Sequence, residues 1–142
     1  MAKRKVLIVE DNPRLRLHLA LLLSEHGFEC VESSNEADAR IVLGLHLAIG
    51  AIIADIDLSE TGGDSNGGIL LAESLVETSP KIPIVLISQT PQFSPGSAVE
   101  TADERRHRLG IHAVLDRTDE RFREELVAKL NEIFEGRATN AR

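Results

Sequence analysis

Four short apolar runs in this chain each end in a reactive polar residue. Val6-Leu7-Ile8-Val9 runs into Glu10-Asp11, and Ala51-Ile52-Ile53-Ala54 runs into Asp55. Pro83-Ile84-Val85-Leu86-Ile87 ends in Ser88, and Ala113-Val114-Leu115 passes through Asp116 to Arg117. Runs of this length, apolar at every position, read as strands buried on both faces of a parallel sheet. In open sheets of this kind, ligands bind just beyond the carboxyl ends of the strands. Those ends carry carboxylates, a hydroxyl and a guanidinium.

The segments between the runs read as helices. Asn12-Pro13 is a helix start, with Asn as cap and Pro at the first helical position. The stretch 14–26 fits two periods: Leu15, Leu17, Leu19 and Leu21 alternate as in a strand, while Leu15, Leu19, Leu22 and Leu23 form a helical stripe. Its length, its Asn-Pro start and the stop at Gly27 select helix. The expected order is strand 5–10, helix 14–26, strand 28–32, a short helix capped by Ser34 or Asn35 and ending near 43, and strand 51–56. Helix 68–78, strand 82–88, helix 97–109, strand 111–116 and helix 119–135 follow. Gly136 is the expected stop, leaving residues 137–142 as a flexible tail after a single domain of residues 1–136. Strands alternating with helices imply a parallel α/β sheet covered on both faces.

The 142 residues suffice for one domain, and 42% of them are hydrophobic, enough for a real core. The formal net charge of −7 argues against direct binding to nucleic acid, which needs a basic face. The basic cluster Arg105-Arg106-His107-Arg108 reads as a solvated helix end. Cys30 is the single cysteine, so no internal disulfide forms, and it reads as a small buried hydrophobe. No stretch approaches the ~20 apolar residues of a membrane span. The basic start Lys3-Arg4-Lys5 precedes too short an apolar run for a signal peptide, so a cytoplasmic location is expected. The five histidines show no metal-ligand spacing.

If the strand ends converge, Glu10, Asp11 and Asp55 repel one another, and a hard divalent cation such as Mg²⁺ relieves that repulsion. Asp55 is then placed to act as a nucleophile toward phosphorus, with Ser88 donating to one phosphoryl oxygen and Arg117 pairing with another.

These residues resemble the receiver domains of bacterial two-component response regulators, along the whole chain. The opening Val6-Leu7-Ile8-Val9-Glu10-Asp11-Asn12-Pro13 is similar to that family's start, Asp55 matches its phosphoacceptor, and the strand ending in Ser88 matches the one that ends in Thr or Ser. The resemblance implies a flavodoxin-like (βα)5 fold with strand order 2-1-3-4-5. It implies Mg²⁺ held by Glu10, Asp11, Asp55 and the backbone carbonyl of Asp57, and phosphorylation by a histidine kinase or phosphotransfer protein. Output passes to a downstream protein partner, and the chain is a phosphoacceptor that assists its own phosphorylation and dephosphorylation rather than a conventional enzyme. The expected state is a monomer or weak dimer. Asp57 and Thr90, each two residues beyond a site residue, are expected to tune phosphate lifetime. Three features depart from the family: Arg117 stands where it has lysine, Val114 where it has an aromatic switch residue, and the loops after Asp55 and Ser88 are expanded. These departures touch the signalling face more than the pocket.

Two other readings compete. A pseudo-receiver would use the same fold as a phosphorylation-independent binding module; Arg117 and Val114 favour it, and the intact acids oppose it. Asp55-Ile56-Asp57-Leu58-Ser59 also resembles the nucleophile motif of haloacid-dehalogenase-type phosphatases. There the second acidic motif comes late, whereas here the acidic pair precedes Asp55.

Overall fold

In the computed structural model, the described residues are 4–45, 48–55, 71–73, 75, 82–88, 104 and 107–140, with side chains as far as 136. Five parallel strands form one sheet: β1 (Arg4–Val9), β2 (Phe28–Ser33), β3 (Ala51–Asp55), β4 (Ile84–Ser88) and β5 (Ile111–Asp116), in the order β2-β1-β3-β4-β5. This is the expected flavodoxin-like order, with chain reversal at β1. Three helices are described at length: α1 (Pro13–Glu25), α2 (Glu36–Gly44) and α3 (Phe122–Asn140). Residues 71–73 and 75 are helical where helix 68–78 is expected, as are 104, 107 and 108 within the expected 97–109.

Every residue of β3 and β4 is buried. Alternate side chains serve two separate cores, as both-face coverage requires. Leu7, Val9, Ile52, Ala54, Ile84 and Leu86 face Ala39 of α2 and the helical residues Leu71 and Leu75. Val6, Ile8, Ala51, Ile53, Val85 and Ile87 face Leu19 and Leu23 of α1 and Leu126 and Leu130 of α3. Where β4 meets β5 the register slips by one: Ile84 pairs with Ile111 but Val85 with Ala113, leaving His112 as an exposed extra residue. Such a bulge twists the edge locally.

The local signals act as their chemistry dictates. The Asn12 side chain accepts from the N–H groups of Arg14 (2.9 Å) and Leu15 (3.3 Å), capping α1. Gly27 (φ 85°) and Gly110 (φ 73°) take the left-handed conformation that ends one element before the next strand begins. Asn35 caps α2 by accepting from the Asp38 N–H at 2.8 Å. Cys30 is half-buried against the α1-side core, and burial, with the Glu32 charge second, pushes its thiol up to about 11. It is therefore a poor nucleophile at neutral pH.

The last helix differs from its expected span: it begins at Phe122 and continues through Gly136 to Asn140. An Asx turn occupies the expected first residues, with Asp119 Oδ1 accepting from the Arg121 N–H at 2.8 Å. Gly136 keeps a negative φ, so it does not act as a stop. Among the described residues, no helix is long and apolar enough to cross a membrane.

Candidate functional site

The carboxyl ends of β1, β3, β4 and β5 lie side by side because all five strands are parallel and β1 sits between β2 and β3. Glu10 follows β1 directly; its N–H donates to the Ser33 carbonyl (3.0 Å), extending the β1–β2 pairing by one step. That bond turns its side chain inward, and Glu10 is only 1% exposed. Asp55, the last residue of β3, is 3% exposed, and Ser88, the last residue of β4, is 1% exposed. Asp11 is exposed at the rim. One carboxylate oxygen from each of Glu10, Asp11 and Asp55 falls within 4.8 Å of the others.

Burial of this much negative charge is unfavourable, and Glu10 carries the effect. Its carboxyl is raised from 4.5 to about 8, chiefly by burial, then by the charge of Asp55 and a hydrogen bond shared with it, and less by Asp11. The Asn12 N–H, 3.2 Å from Oε1, acts in the opposite direction. Glu10 Oε2 is buried and meets no donor among the described residues. Two carboxylates can hydrogen-bond only through a proton held by one of them, so burial and the neighbouring Asp55 both favour the protonated form of Glu10. Three carboxylates, each with an oxygen within 4.8 Å of the others, form a set that fits a hard divalent cation, which prefers oxygen ligands.

Arg117 closes the site from the other side. Its Nη1 donates to Asp55 Oδ2 at 2.8 Å, with the arginine side chain 20% exposed. Its backbone N–H donates to the Ser88 carbonyl at 2.9 Å, tying it to the end of β4. An Asx turn fixes the next residue: Asp116 Oδ1 accepts from the Thr118 hydroxyl (2.6 Å) and N–H (2.8 Å). The same two donors hold the Asp116 carboxyl below its ordinary value. Arg117 also walls an open groove of about 410 Å³ whose floor is Leu15, Leu19, Leu22 and Phe122.

Glu10, Asp11, Asp55 and Arg117 thus come together as the strand-end pattern requires, and Ser88 lies one position beyond the residue paired with Asp55. Val114 is half-buried, opposite Leu86, and packs into the core shared with Ile84 and Ile111. Asp57 and Thr90 lie outside the described residues.

Two contributors escape the sequence pattern. Arg16, one turn into α1, donates to the Glu10 carbonyl at 2.7 Å and pairs with Glu32 at 3.3 Å, so it anchors the β1 end from the helix. Asn12 serves the site as well as the helix, through its N–H. An arginine one turn after a helix cap that follows an acidic pair was the available signal for the first.

Solved structures with this architecture cover nearly the whole chain. The signal receiver domain of an HD domain-containing protein from Pseudomonas fluorescens Pf-5 superposes with a TM-score of 0.76 at 16% identity, covering 97% of this chain and 99% of that one. The chain has the receiver-domain fold of response regulators. Chemotaxis protein CheY4 of Vibrio cholerae matches at TM-score 0.71 and 19% identity, over 93% of this chain and 99% of that one. The N-terminal domain of a response regulator/sensory box/GGDEF protein from Carboxydothermus hydrogenoformans gives 0.71 at 18% identity, over 97% and 99%. No protein-family model matches the chain, and no curated protein does.

Proposed function

We propose that this receiver-fold chain accepts a phosphoryl group on Asp55, with Mg²⁺, and signals by contact with a protein partner. The observation that carries this reading is Asp55 itself: buried at a strand end, paired with Arg117 at 2.8 Å, and clustered with Glu10 and Asp11. A carboxylate oxygen of Asp55 attacks the phosphorus of a histidine kinase or phosphotransfer protein's phosphohistidine. The P–N bond breaks as the P–O bond forms, and the imidazole leaves. Mg²⁺ would supply charge neutralisation for the phosphoryl oxygens, and Glu10, Asp11 and Asp55, with the backbone carbonyl of Asp57, would hold it. Arg117 exchanges its pairing with Asp55 for a phosphoryl oxygen, and Ser88 donates to another. Asp57 and Thr90, each two residues beyond a site residue in sequence, would tune the lifetime of the phosphoryl group. The rearrangement reads out on the surface around the expected helix 97–109 and β5, and a cytoplasmic location suits donors of this class.

Intact-mass measurement after incubation with acetyl phosphate and Mg²⁺ tests the reading. Wild type should gain one phosphoryl group and Asp55→Asn none; labelling that persists in Asp55→Asn removes Asp55 from the role. The second reading, a phosphorylation-independent binding module, draws on the fact that Asp55 already has a cationic partner at rest and that Val114 is core rather than a ring. It prevails if wild type never labels and binds no Mg²⁺ by calorimetry.

A further inference from the structure

Helix α1 carries more leucine than the core uses. Leu19 and Leu23 are buried and Leu15 and Leu22 pack against them, which accounts for the helical stripe. Leu17 and Leu21 remain 51% and 54% exposed. Four residues apart, they stand one above the other on one face. The ridge they form has a depression on each side. One, of about 850 Å³, lies toward β2 and includes Ala20, Ser24 and Phe28. The other, of about 180 Å³, lies toward α3 and includes His18, Leu22 and Arg123. An apolar ridge between grooves is the shape that packs against another helix.

The charges along this ridge select the occupant. Arg14 lies one turn before Leu17 and Glu25 one turn after Leu21, and both are exposed. At about 100° per residue they fall on the same flank of the ridge, on the side of His18. Opposite charges at the two ends of one apolar stripe make it self-complementary under a two-fold axis. We propose that α1 pairs antiparallel with α1 of a second copy of this chain. Leu17 of each copy then packs against Leu21 of the other, and Arg14 faces Glu25 twice, once on each end. A parallel pair would set Arg14 against Arg14 and Glu25 against Glu25. The opposite flank carries Ala20 and Ser24, small side chains that let the two helices approach closely. The interface is isologous, as two-fold dimers require. A helix of 13 residues spans only ~20 Å, so the buried area falls below the ~800 Å² per partner of a stable complex and the dimer is weak. This pairing does not depend on the chemistry at Asp55.

Sedimentation velocity on the full chain over a concentration series tests it. Wild type should self-associate reversibly, with a dissociation constant between about 10 µM and 1 mM, the range of a small interface. Leu17→Glu/Leu21→Glu should weaken association about 30-fold or more, since four buried leucines become four carboxylates. Arg14→Glu and Glu25→Arg, tested singly, should each weaken it about 10-fold, and the double reversal should return to within about 3-fold of wild type. Both reversed charges also suit the helix dipole, so the double variant folds, which far-ultraviolet circular dichroism verifies. A wild type that stays monomeric to the top of the series overturns the proposal, as does association indifferent to the leucine substitutions. Failure of the double reversal to rescue overturns the antiparallel arrangement.

Discussion

The two ends of the candidate site solve opposite electrostatic problems. At the β1–β3 end, two buried carboxyls and a third at the rim crowd together, and Glu10 Oε2 meets no donor among the described residues. At the β5 end, Asp116 is satisfied within its own turn by Thr118. Arg117 links them, its backbone belonging to the settled end and its guanidinium to the crowded one. Stability and reactivity are thus divided: local hydrogen bonds build the turn that delivers a cation, while the acidic end keeps the unfavourable charge that a divalent cation would relieve.

The sharpest consequence concerns pH. Glu10 binds its proton more tightly in the folded chain, at about 8 against an ordinary 4.5. Its contribution to stability is therefore fully present below about 4.5 and is lost as the pH rises through about 8. Metal-free protein should lose a few kcal/mol of unfolding free energy across that window, followed by urea denaturation at successive pH values. Glu10→Gln should flatten the profile. Saturating Mg²⁺ should flatten it too, because it takes the deprotonated form, and calorimetry in buffers of different ionisation enthalpy should then register proton release on binding near neutral pH. A metal-free profile level from pH 5 to 8 would mean that the crowding is not felt by Glu10.

The next effect isolates the link. Arg117→Met leaves Asp55 buried without its guanidinium partner. Breaking a buried pair costs roughly 3–5 kcal/mol, and because Arg117 is one-fifth exposed the expected loss is about 1–3 kcal/mol, read from the urea midpoint. Arg117→Lys should recover part of it, since a point charge replaces a planar fork. Lysine equal to methionine would show that the geometry of the guanidinium, and not its charge, holds Asp55.

The same division explains what the sequence reveals. Buried parallel strands are all apolar, so β1, β3 and β4 announce themselves, and the polar residue that ends each run marks the sheet edge where chemistry can occur. The parallel sheet follows from alternating strands and helices, but its order came only from the resemblance to receiver domains, since right-handed crossovers alone leave several arrangements of five strands. Helix ends with strong local chemistry, Asn12-Pro13 and Gly27, were equally legible. Gly136 was not, because glycine ends a helix only where the chain needs a positive φ, a tertiary demand absent there. Arg16 was harder to see for a related reason: it reaches the Glu10 carbonyl and the Glu32 carboxylate across the fold, and only its place one turn after the Asn12 cap hinted at those contacts. The leucines of α1 fit two periods because two of them serve no core.

Smaller substitutions separate the helix from the site. Asn12→Ala removes the cap of α1 and should cost about 1 kcal/mol. The Asn12 N–H to Glu10 survives as backbone, so the pH profile should keep its shape while falling as a whole. A changed shape would show that the side chain, through the helix start, sets the environment of Glu10.

Asp116→Ala should have the smallest effect, and its pH dependence should be opposite in sign. The Asp116 carboxyl is held low by the Thr118 hydroxyl and N–H, so its contribution is present above its ordinary value of 3.8 and fades as the pH falls. Both Thr118 donors are exposed and find water when the carboxylate is gone, leaving no buried group unsatisfied. Arg117 also keeps its backbone bond to Ser88, which belongs to the sheet rather than to the turn. Thermal unfolding at neutral pH should shift least of all these variants, and acetyl phosphate should label Asp116→Ala at close to the wild-type rate. If Asp116→Ala instead loses as much stability as Arg117→Met, the Asx turn and not the β4–β5 pairing positions the guanidinium, and the settled end of the site is what holds the crowded end together.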